Sequence, residues 1–117
     1  MRGPDPRKPQ WIREFYKNGQ IEWDIPLNEN GVRHGLARQY HENPANQSPM
    51  APCRVKLTRN YVDGKEQGQE IIYYKTGEVA QVLDFVDGRA HGHLVRYGND
   101  GQEIERAQYA DGKQVKK

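Results

Sequence analysis

The chain has 117 residues, of which 34% are apolar and 29% charged, and its formal net charge is +2 at pH 7. This length suits one domain, and a mean hydropathy of -1.11 argues against a closed, thick hydrophobic core. Lys and Arg are evenly mixed with Asp and Glu, so we expect neither nucleic-acid binding nor membrane binding. Because the sequence has no hydrophobic signal segment and no stretch of membrane-spanning length, we expect a cytoplasmic protein.

The two ends of the chain are predicted to be tails. Residues 1–10 contain three prolines and no apolar run, which predicts a flexible N-terminal tail. Residues 113–117 are short and basic and are predicted to form a C-terminal tail. Residues 11–112, between the two tails, are predicted to form a single repeat domain.

A 24-residue period runs through this domain. Gly64, Gly88 and Gly112 are 24 residues apart, and Tyr73 and Tyr97 have the same separation. Agreement at several independent positions indicates a repeated supersecondary unit.

The period is interrupted once. Tyr16 and Tyr40 are 24 residues apart, but Tyr40 and Tyr73 are 33 residues apart, so the middle of the chain carries nine extra residues. These must lie between Tyr40 and Arg54, and residues 41–53 are therefore predicted to be a loop insertion.

Each period contains an Asp-Gly or Asn-Gly turn and a second glycine turn about halfway along. Both suit tight hairpins, because glycine adopts positive φ freely and Asn and Asp tolerate it. The segments between them, such as 69–75 and 78–86, are rich in Ile, Val, Tyr and Phe and are short enough to be single strands. No segment shows sustained helical periodicity. We therefore predict an all-β fold, an elongated, twisted antiparallel meander of stacked β-hairpins.

The first copy of the turn is expected to be irregular. Gly19 and Gly31 are one residue further apart than Gly77 and Gly88, and Asn28 stands where later copies have an aromatic residue. This predicts a bulge or an irregular strand end near Asn28.

The aromatic residues that recur with the period are predicted to form a ladder across the sheet. Each ring would pack on the ring of the next copy, and this ladder would then be the core. The members of the predicted ladder are Tyr16, Tyr40, Tyr73 and Tyr97 in one row and Tyr61, Phe85 and Tyr109 in the other.

Few residues suit catalysis. The only serine, Ser48, and the only cysteine, Cys53, lie in the insertion, with His41 nearby in sequence. A hydrolase that uses Cys53 and His41 is one alternative, but a loop on a small open sheet offers no dry, preorganised pocket. Carboxylates are spread along the strands without an evident acid–base pair. We therefore expect no enzymatic activity and no cofactor. The lone cysteine also excludes an internal disulfide and fits a reducing compartment.

Two histidines raise the question of a metal site. His91 and His93 would share one face of a strand and could both reach a metal ion, but the sequence marks no third ligand. His34 and His91 occupy the same position in two copies of the turn. We therefore expect turn histidines and no metal site.

The two segments 68–79 and 87–92 resemble MORN repeats. The similarity is closest to the bacterial variant in which a Tyr-Tyr-x-x-Gly segment alternates with an Asp/Asn-Gly-Lys/Arg-x-x-Gly segment. It is good over residues 61–112, fair over 11–41 and absent in 42–53. The resemblance implies a sheet of stacked hairpins whose repeat carries no catalytic residues. It also implies an antitoxin or immunity protein, since bacterial proteins of this variant commonly bear that label, or else a scaffold or lipid-associated protein.

We therefore expect a non-catalytic protein-binding module, with a cognate toxin as its partner. The alternative is a MORN-type scaffold or an adaptor at an anionic membrane surface. Self-association through the edge strands is a further mode. Insertions in repeat arrays often lie on the binding face, which makes the interrupted period the best candidate for the site. The candidate partner-binding residues are His41, Glu42, Asn43, Gln47, Met50, Cys53, Arg54 and, on the sheet, Arg96.

Overall fold

The computed structural model describes residues 10–48 and 50–115, and every regular element in these residues is a β-strand. The all-β prediction is thereby confirmed. No helix in the described part of the chain is long and apolar enough to cross a membrane. The predicted N-terminal tail lies outside the described residues, apart from Gln10. The ten strands are β1 Trp11–Phe15, β2 Ile21–Pro26, β3 Gly35–Tyr40, β4 Val55–Val62, β5 Lys65–Glu66, β6 Gly68–Tyr73, β7 Val79–Val86, β8 Arg89–Tyr97, β9 Glu103–Ala110 and β10 Lys113–Gln114.

All ten strands belong to one open antiparallel sheet. Their order is β1-β2-β3-β4-β6-β7-β8-β9-β10, and the short β5 pairs with β4, so neighbours in the sheet are neighbours in sequence. The principal extents are 51 × 44 × 21 Å and the radius of gyration is 16.7 Å. A compact domain of this length would have a radius of gyration of about 13 Å. The larger value follows from a broad sheet with no second layer packed on it.

Turns of two kinds alternate along the meander, one kind at each end of the strands. At the end that we call the Asp-Gly end, both turn residues have positive φ, 47° at Asp63 and 89° at Gly64. Positive φ at both positions defines the type I′ turn, whose twist matches that of the flanking strands. The same conformation recurs at residues 87–88 and 111–112.

At the opposite end, which we call the loop end, the hairpins are closed differently. The Tyr16 N–H donates to the Gln20 carbonyl at 2.8 Å and the Gly19 N–H donates to the Tyr16 carbonyl at 3.0 Å. Only the glycine has positive φ, and the strand register shifts by one residue beside the turn. This is the three-residue hairpin loop with a glycine bulge, and it recurs at Gly77 and Gly101.

Each Asp-Gly turn is bonded to the preceding copy through both of its N–H groups. The Gly64, Gly88 and Gly112 N–H groups donate at 2.8 Å to the carbonyls of Arg33, Glu66 and Ala90. A type I′ turn leaves these donors without a partner inside its own hairpin, so the preceding copy satisfies them.

The turn aspartates complete this connection through a side chain of the preceding copy. The Asp63 and Asp111 N–H groups donate to Nδ1 of His34 and His91, at 3.1 and 3.3 Å. The Asp87 N–H makes the same bond to Gln67 Oε1 at 2.6 Å. The accepting histidine nitrogens are unprotonated, which places the proton of each neutral ring on Nε2. His34 and His91 are therefore turn histidines, as predicted.

The predicted irregularity of the first copy is confirmed. Its turn has the three-residue form, with the Gly31 N–H donating to the Asn28 carbonyl at 3.0 Å and the Asn28 N–H to Val32. The Asn28 side chain accepts from the Asn30 and Val32 N–H groups. The extra residue in the spacing is therefore the third residue of this loop.

The buried core is small, and its main cluster lies in the N-terminal half of the sheet, whereas Leu94 and Val95 of β8 are buried outside this cluster. Ile25, Ala37 and Tyr61 form a buried cluster, and Ile12 and Trp23 pack against it while half-buried. We call this side of the sheet the Trp23 face. The core is small because one layer has nothing to cover the rest of its two faces.

The predicted aromatic ladder is present only in part. Of the seven rings, Tyr61 alone is buried in the described structure, and the others are half-buried. At the loop end the tyrosines join successive copies through their hydroxyls. Tyr16 donates to the Tyr40 carbonyl at 2.7 Å, and Tyr74, rather than the predicted Tyr73, donates to the Tyr97 carbonyl at 2.6 Å. The expectation that the ladder forms the core was wrong, because no second layer covers the rings.

The predicted C-terminal tail begins with one more hairpin. Lys113 pairs with Ala110 and Gln114 with Tyr109, and the Val115 N–H donates to the Gln108 carbonyl at 2.7 Å. The Asp-Gly turn at residues 111–112 nucleates this short strand as it does in the earlier copies.

Gly92→Ala will destabilise the protein more than Gly101→Ala. Both glycines have positive φ, at which a side chain is strained by about 1–3 kcal/mol. At Gly101 a Cβ atom meets nothing within 4 Å, but at Gly92 it lies 2.8 Å from Asp84 Cβ. This overlap adds about 1–3 kcal/mol. Urea unfolding measures the stability of both variants. Equal losses of stability would contradict the packing of Asp84 against Gly92.

Candidate functional site

The insertion replaces one turn at the loop end, between β3 and β4. The two strands remain paired up to its base, where Tyr40 lies opposite Val55 and the His41 N–H donates to the Arg54 carbonyl at 2.8 Å. The segment predicted to be an insertion, residues 41–53, therefore rises from a closed hairpin.

The side chain of Gln20 fixes the start of the insertion. Gln20 is 1% exposed, and its Nε2 donates to the His41 carbonyl at 2.7 Å while its Oε1 accepts from the Asn43 N–H at 2.6 Å. Gln20 follows the loop-end glycine of the preceding hairpin. A neighbouring copy therefore holds the first three residues of the insertion in place.

The base of the insertion is also bonded to the following copy. His41 Nε2 donates to the Tyr73 carbonyl at 3.0 Å, and Arg54 Nη1 donates to the Lys75 carbonyl at 3.2 Å. In the other copies a tyrosine hydroxyl bonds the next carbonyl at this end of the sheet. His41 makes the corresponding connection where the period is interrupted.

Short turns order the outer part of the insertion. The Gln47 N–H donates to the Pro44 carbonyl at 2.9 Å, and the Met50 N–H donates to Ser48 Oγ at 3.0 Å. Met50 is 90% exposed, the highest value among the exposed large hydrophobic residues of the described chain. The insertion therefore presents an apolar side chain to solvent on a bonded backbone.

A groove of about 740 Å³ lies between the insertion and the loop end of the sheet. Tyr16 is one of its lining residues; burial, together with the carboxylates of Glu22 and Glu42, raises the pKa of Tyr16. The phenol therefore stays protonated and keeps its bond to the Tyr40 carbonyl. Two lysines, Lys56 of β4 and Lys75 after β6, add positive charge to the groove.

The structure brings together four of the eight predicted site residues. His41, Glu42, Asn43 and Gln47 line the groove. Asn43 is 4% exposed, and its Oδ1 has no hydrogen-bond partner among the described residues. Arg54 stands at the base of the insertion.

The other four predicted residues, Met50, Cys53, Arg54 and Arg96, do not line the groove. Arg96 is not part of the insertion at all. Arg96 is on β8, where it bonds Gln81 Oε1 at 3.0 Å and Glu105 Oε2 at 3.0 Å. It is separated from the insertion by β6 and β7, so one compact partner segment in the groove would not contact it.

The alternative catalytic pair is engaged in structural bonds. Cys53 Sγ lies 3.7 Å from the Ala51 carbonyl, and His41 Nε2 is bonded to Tyr73. The Nε2 proton of His41 is therefore already donated to a backbone carbonyl of the sheet. The described residues also contain no group of three or more side chains that could hold a metal ion, and His91 accepts a turn N–H instead.

A second cluster, which was not predicted from the sequence, lies on the Trp23 face. Arg59 of β4 bonds Glu70 of β6 at 2.8 Å and Glu66 of β5 at 3.2 Å, and its Nη1 donates to the Tyr61 hydroxyl at 3.3 Å. The guanidinium also lies over the ring of Trp23, 5.6 Å from its centroid. Only the pairing of β4 with β5 and β6 places these residues together.

One carboxylate of this cluster holds its proton unusually strongly. Burial raises the pKa of Glu66 to about 8, and hydrogen bonding to Glu70 and the charge of Glu70 add to the effect, while Arg59 lowers it. The buried Glu66 Oε2 has no hydrogen-bond partner in the described structure. A carboxyl group that is protonated in the folded protein avoids leaving an uncompensated negative charge at this buried position.

Comparison of the chain with protein-family models, curated proteins and solved structures found no match. The geometry of the insertion and the resemblance of the repeats are therefore the basis for assigning a function.

Gln20→Ala will loosen the insertion. The substitution leaves the His41 carbonyl and the Asn43 N–H without partners, which costs about 1–3 kcal/mol. Hydrogen exchange at the Asn43 amide should accelerate more than tenfold, a change of about 1.4 kcal/mol or more. Gln102 follows Gly101 as Gln20 follows Gly19, but it is exposed. Gln102→Ala is the matched control, and unchanged exchange at Asn43 in Gln20→Ala would refute the anchoring role.

Stability will fall with rising pH because of Glu66. In the unfolded chain this group loses its proton near pH 4.5, whereas the folded protein keeps it up to about pH 8. The stabilisation is therefore complete below pH 4.5 and is lost progressively up to about pH 8. Glu66→Gln should flatten the melting temperature across this window. The exposed Glu29→Gln should keep the wild-type slope, and a wild-type slope in Glu66→Gln would exclude the raised pKa of Glu66 as its cause.

Proposed function

We propose that the protein is a non-catalytic protein-binding module that acts as an antitoxin or immunity protein and neutralises a partner toxin by direct binding. One observation carries the proposal. The only interruption of the repeat is an ordered insertion, anchored by the buried Gln20, that borders a groove of about 740 Å³. The remaining periodic residues have structural roles in turns, bulges and bonds between copies.

The form of the insertion supports protein binding. Its backbone is held at the base by Gln20 and His41 and ordered farther out by turns at Pro44 and Ser48. A segment that is ordered before binding loses less conformational entropy on association. It offers an exposed Met50, a residue type that adapts to varied apolar surfaces. The groove beside it supplies polar donors and acceptors for specificity.

The assignment to the antitoxin class rests on the MORN resemblance. Toxin neutralisation by occlusion requires a stable surface and no catalytic group on the inhibitor. The side chains of His41, His34 and His91 all make structural hydrogen bonds. This agrees with an inhibitor that needs no catalytic group.

The alternative is an adaptor at an anionic membrane surface, as other MORN proteins suggest. Lys56 and Lys75 in the groove are the observation in its favour. Glu42 lines the same groove and opposes an anionic surface. Co-sedimentation with phosphatidylserine vesicles separates the two functions, since an antitoxin should remain in the supernatant.

The test begins with affinity capture of a partner by the full chain, followed by expression of that partner alone and together with this protein. We expect the partner to arrest growth when alone and co-expression to restore growth. Met50→Ser combined with Gln47→Ala should weaken the measured affinity at least tenfold, about 1.4 kcal/mol, because both side chains are exposed on the insertion.

Ile104→Ser combined with Gln108→Ala provides the control. These residues are exposed on β9. In the sheet, β6, β7 and β8 lie between β9 and β4, the strand that follows the insertion. This pair should leave affinity unchanged. A partner that is harmless alone, or an insertion variant that binds like wild type, would overturn the proposal.

A further inference from the structure

A small cleft opens on the Trp23 face, away from the insertion groove. Its volume is about 140 Å³, which suits one side chain rather than a large ligand. Its lining residues come from β1, β2, β4 and the turn between β2 and β3, and two of them, Ile25 and Tyr61, belong to the buried core. The residues that line it are Glu14, Trp23, Ile25, Arg33, Arg59 and Tyr61.

Two guanidinium groups in this cleft lie over aromatic rings. Arg59 Cζ lies 5.6 Å from the centroid of Trp23, and Arg33 Cζ lies 5.7 Å from the centroid of Tyr61. Cation–π contacts hold a guanidinium by its face, so its in-plane N–H groups still point outward at the edge. The rings therefore form apolar walls and the two arginines supply donors.

Arg59 is held in position by hydrogen bonds, but one of its nitrogens, Nη2, has no acceptor in the described structure. Its Nε bonds Glu70 and Glu66, and its Nη1 bonds the Tyr61 hydroxyl. In residues 10–48 and 50–115 no acceptor bonds Nη2, and no carboxylate oxygen lies within 4.0 Å of the Arg33 side chain. Two guanidinium groups with N–H donors still available thus flank the cleft.

We propose that this cleft binds the side-chain carboxylate of an aspartate or glutamate on a partner protein. A guanidinium edge matches a carboxylate in shape and charge. Trp, Tyr and Arg are the residue types that dominate the energy of protein interfaces, and here they occur together in one pre-arranged cleft. A partner of this kind would present an acidic residue on a protruding turn or strand.

The cleft is small, about 140 Å³, which suits a planar carboxylate better than a tetrahedral phosphate. Glu14 also lines the cleft and offsets part of the positive charge of the two arginines. Behind Arg59, Glu70 and Glu66 contact only Nε, at 2.8 and 3.2 Å, which leaves Nη2 for a ligand. A carboxylate in the cleft therefore meets donors from both arginines and one opposing carboxylate, that of Glu14.

The inference extends the proposed function by naming a chemistry for the partner, and it rests on the chain being a protein-binding module. It concerns a surface separate from the insertion. The direct test uses the full chain without any partner, so failure at the cleft and failure of toxin neutralisation are independent results.

The probe is N-acetylglutamate α-amide, which carries one carboxylate, titrated into the 15N-labelled protein. We expect saturable shifts of the Trp23 indole N–H, with a dissociation constant on the order of 1–10 mM for so small a ligand. Trp11 is the internal reference. It also carries a guanidinium over its ring, that of Arg13 at 4.5 Å, but Arg13 is paired with Asp24.

Arg33→Gln should weaken the Trp23 response at least fivefold, whereas Arg38→Gln, on the opposite face of β3, should leave it unchanged. The lysine analogue, N-acetyllysine α-amide, should produce no saturable shift. Four outcomes overturn the proposal: no saturation at Trp23, an equal response at Trp11, a response to the lysine analogue, or tighter binding of inorganic phosphate than of the carboxylate.

Discussion

The structure depends on the two N–H groups of each type I′ turn, which need acceptors outside their own hairpin. Positive φ at Asp63 and Gly64 turns both donors away from the strands that they connect. The preceding copy supplies a carbonyl for the glycine and a histidine or glutamine side chain for the aspartate. Such a bond is favourable by about 0.5–1.5 kcal/mol. Adjacent copies are therefore tied together in register at every period.

This constraint explains where the repeat can be interrupted. At the loop end, the turn N–H groups bond within their own hairpin, as Gly19 does to Tyr16. The bonds between copies at this end are made by side chains, and His41 takes the part that tyrosine hydroxyls play elsewhere. Nine extra residues can enter there without breaking the chain of bonded turns. The same insertion at the Asp-Gly end would remove two hydrogen bonds between adjacent copies.

Much of the fold could be predicted from the sequence because glycine spacing reports backbone conformation directly. The all-β meander, the positions of the tight turns, the irregular first copy and the site of the insertion all follow from spacing. The role of Gln20 does not, because Gln102 holds the same position and is exposed. The two glutamines differ because the insertion lies beside Gln20 and not beside Gln102. The Arg59 cluster was also missed, because it depends on cross-strand register. The aromatic ladder failed as a core because periodicity does not reveal whether a second layer exists.

The Arg59 cluster is costly for so small a core. Moving charges out of water carries a penalty that apolar residues of similar size would avoid. Glu66 reduces this penalty by keeping a proton, and the Arg59 charge is balanced by Glu70. The network fixes one guanidinium beside Trp23 and Tyr61 with a free edge, whereas Arg13 over Trp11 is exposed and already paired with Asp24. Rigidity obtained before binding lowers the entropy lost on association. The cluster therefore contributes a pre-arranged donor beside the apolar residues that pack on this face.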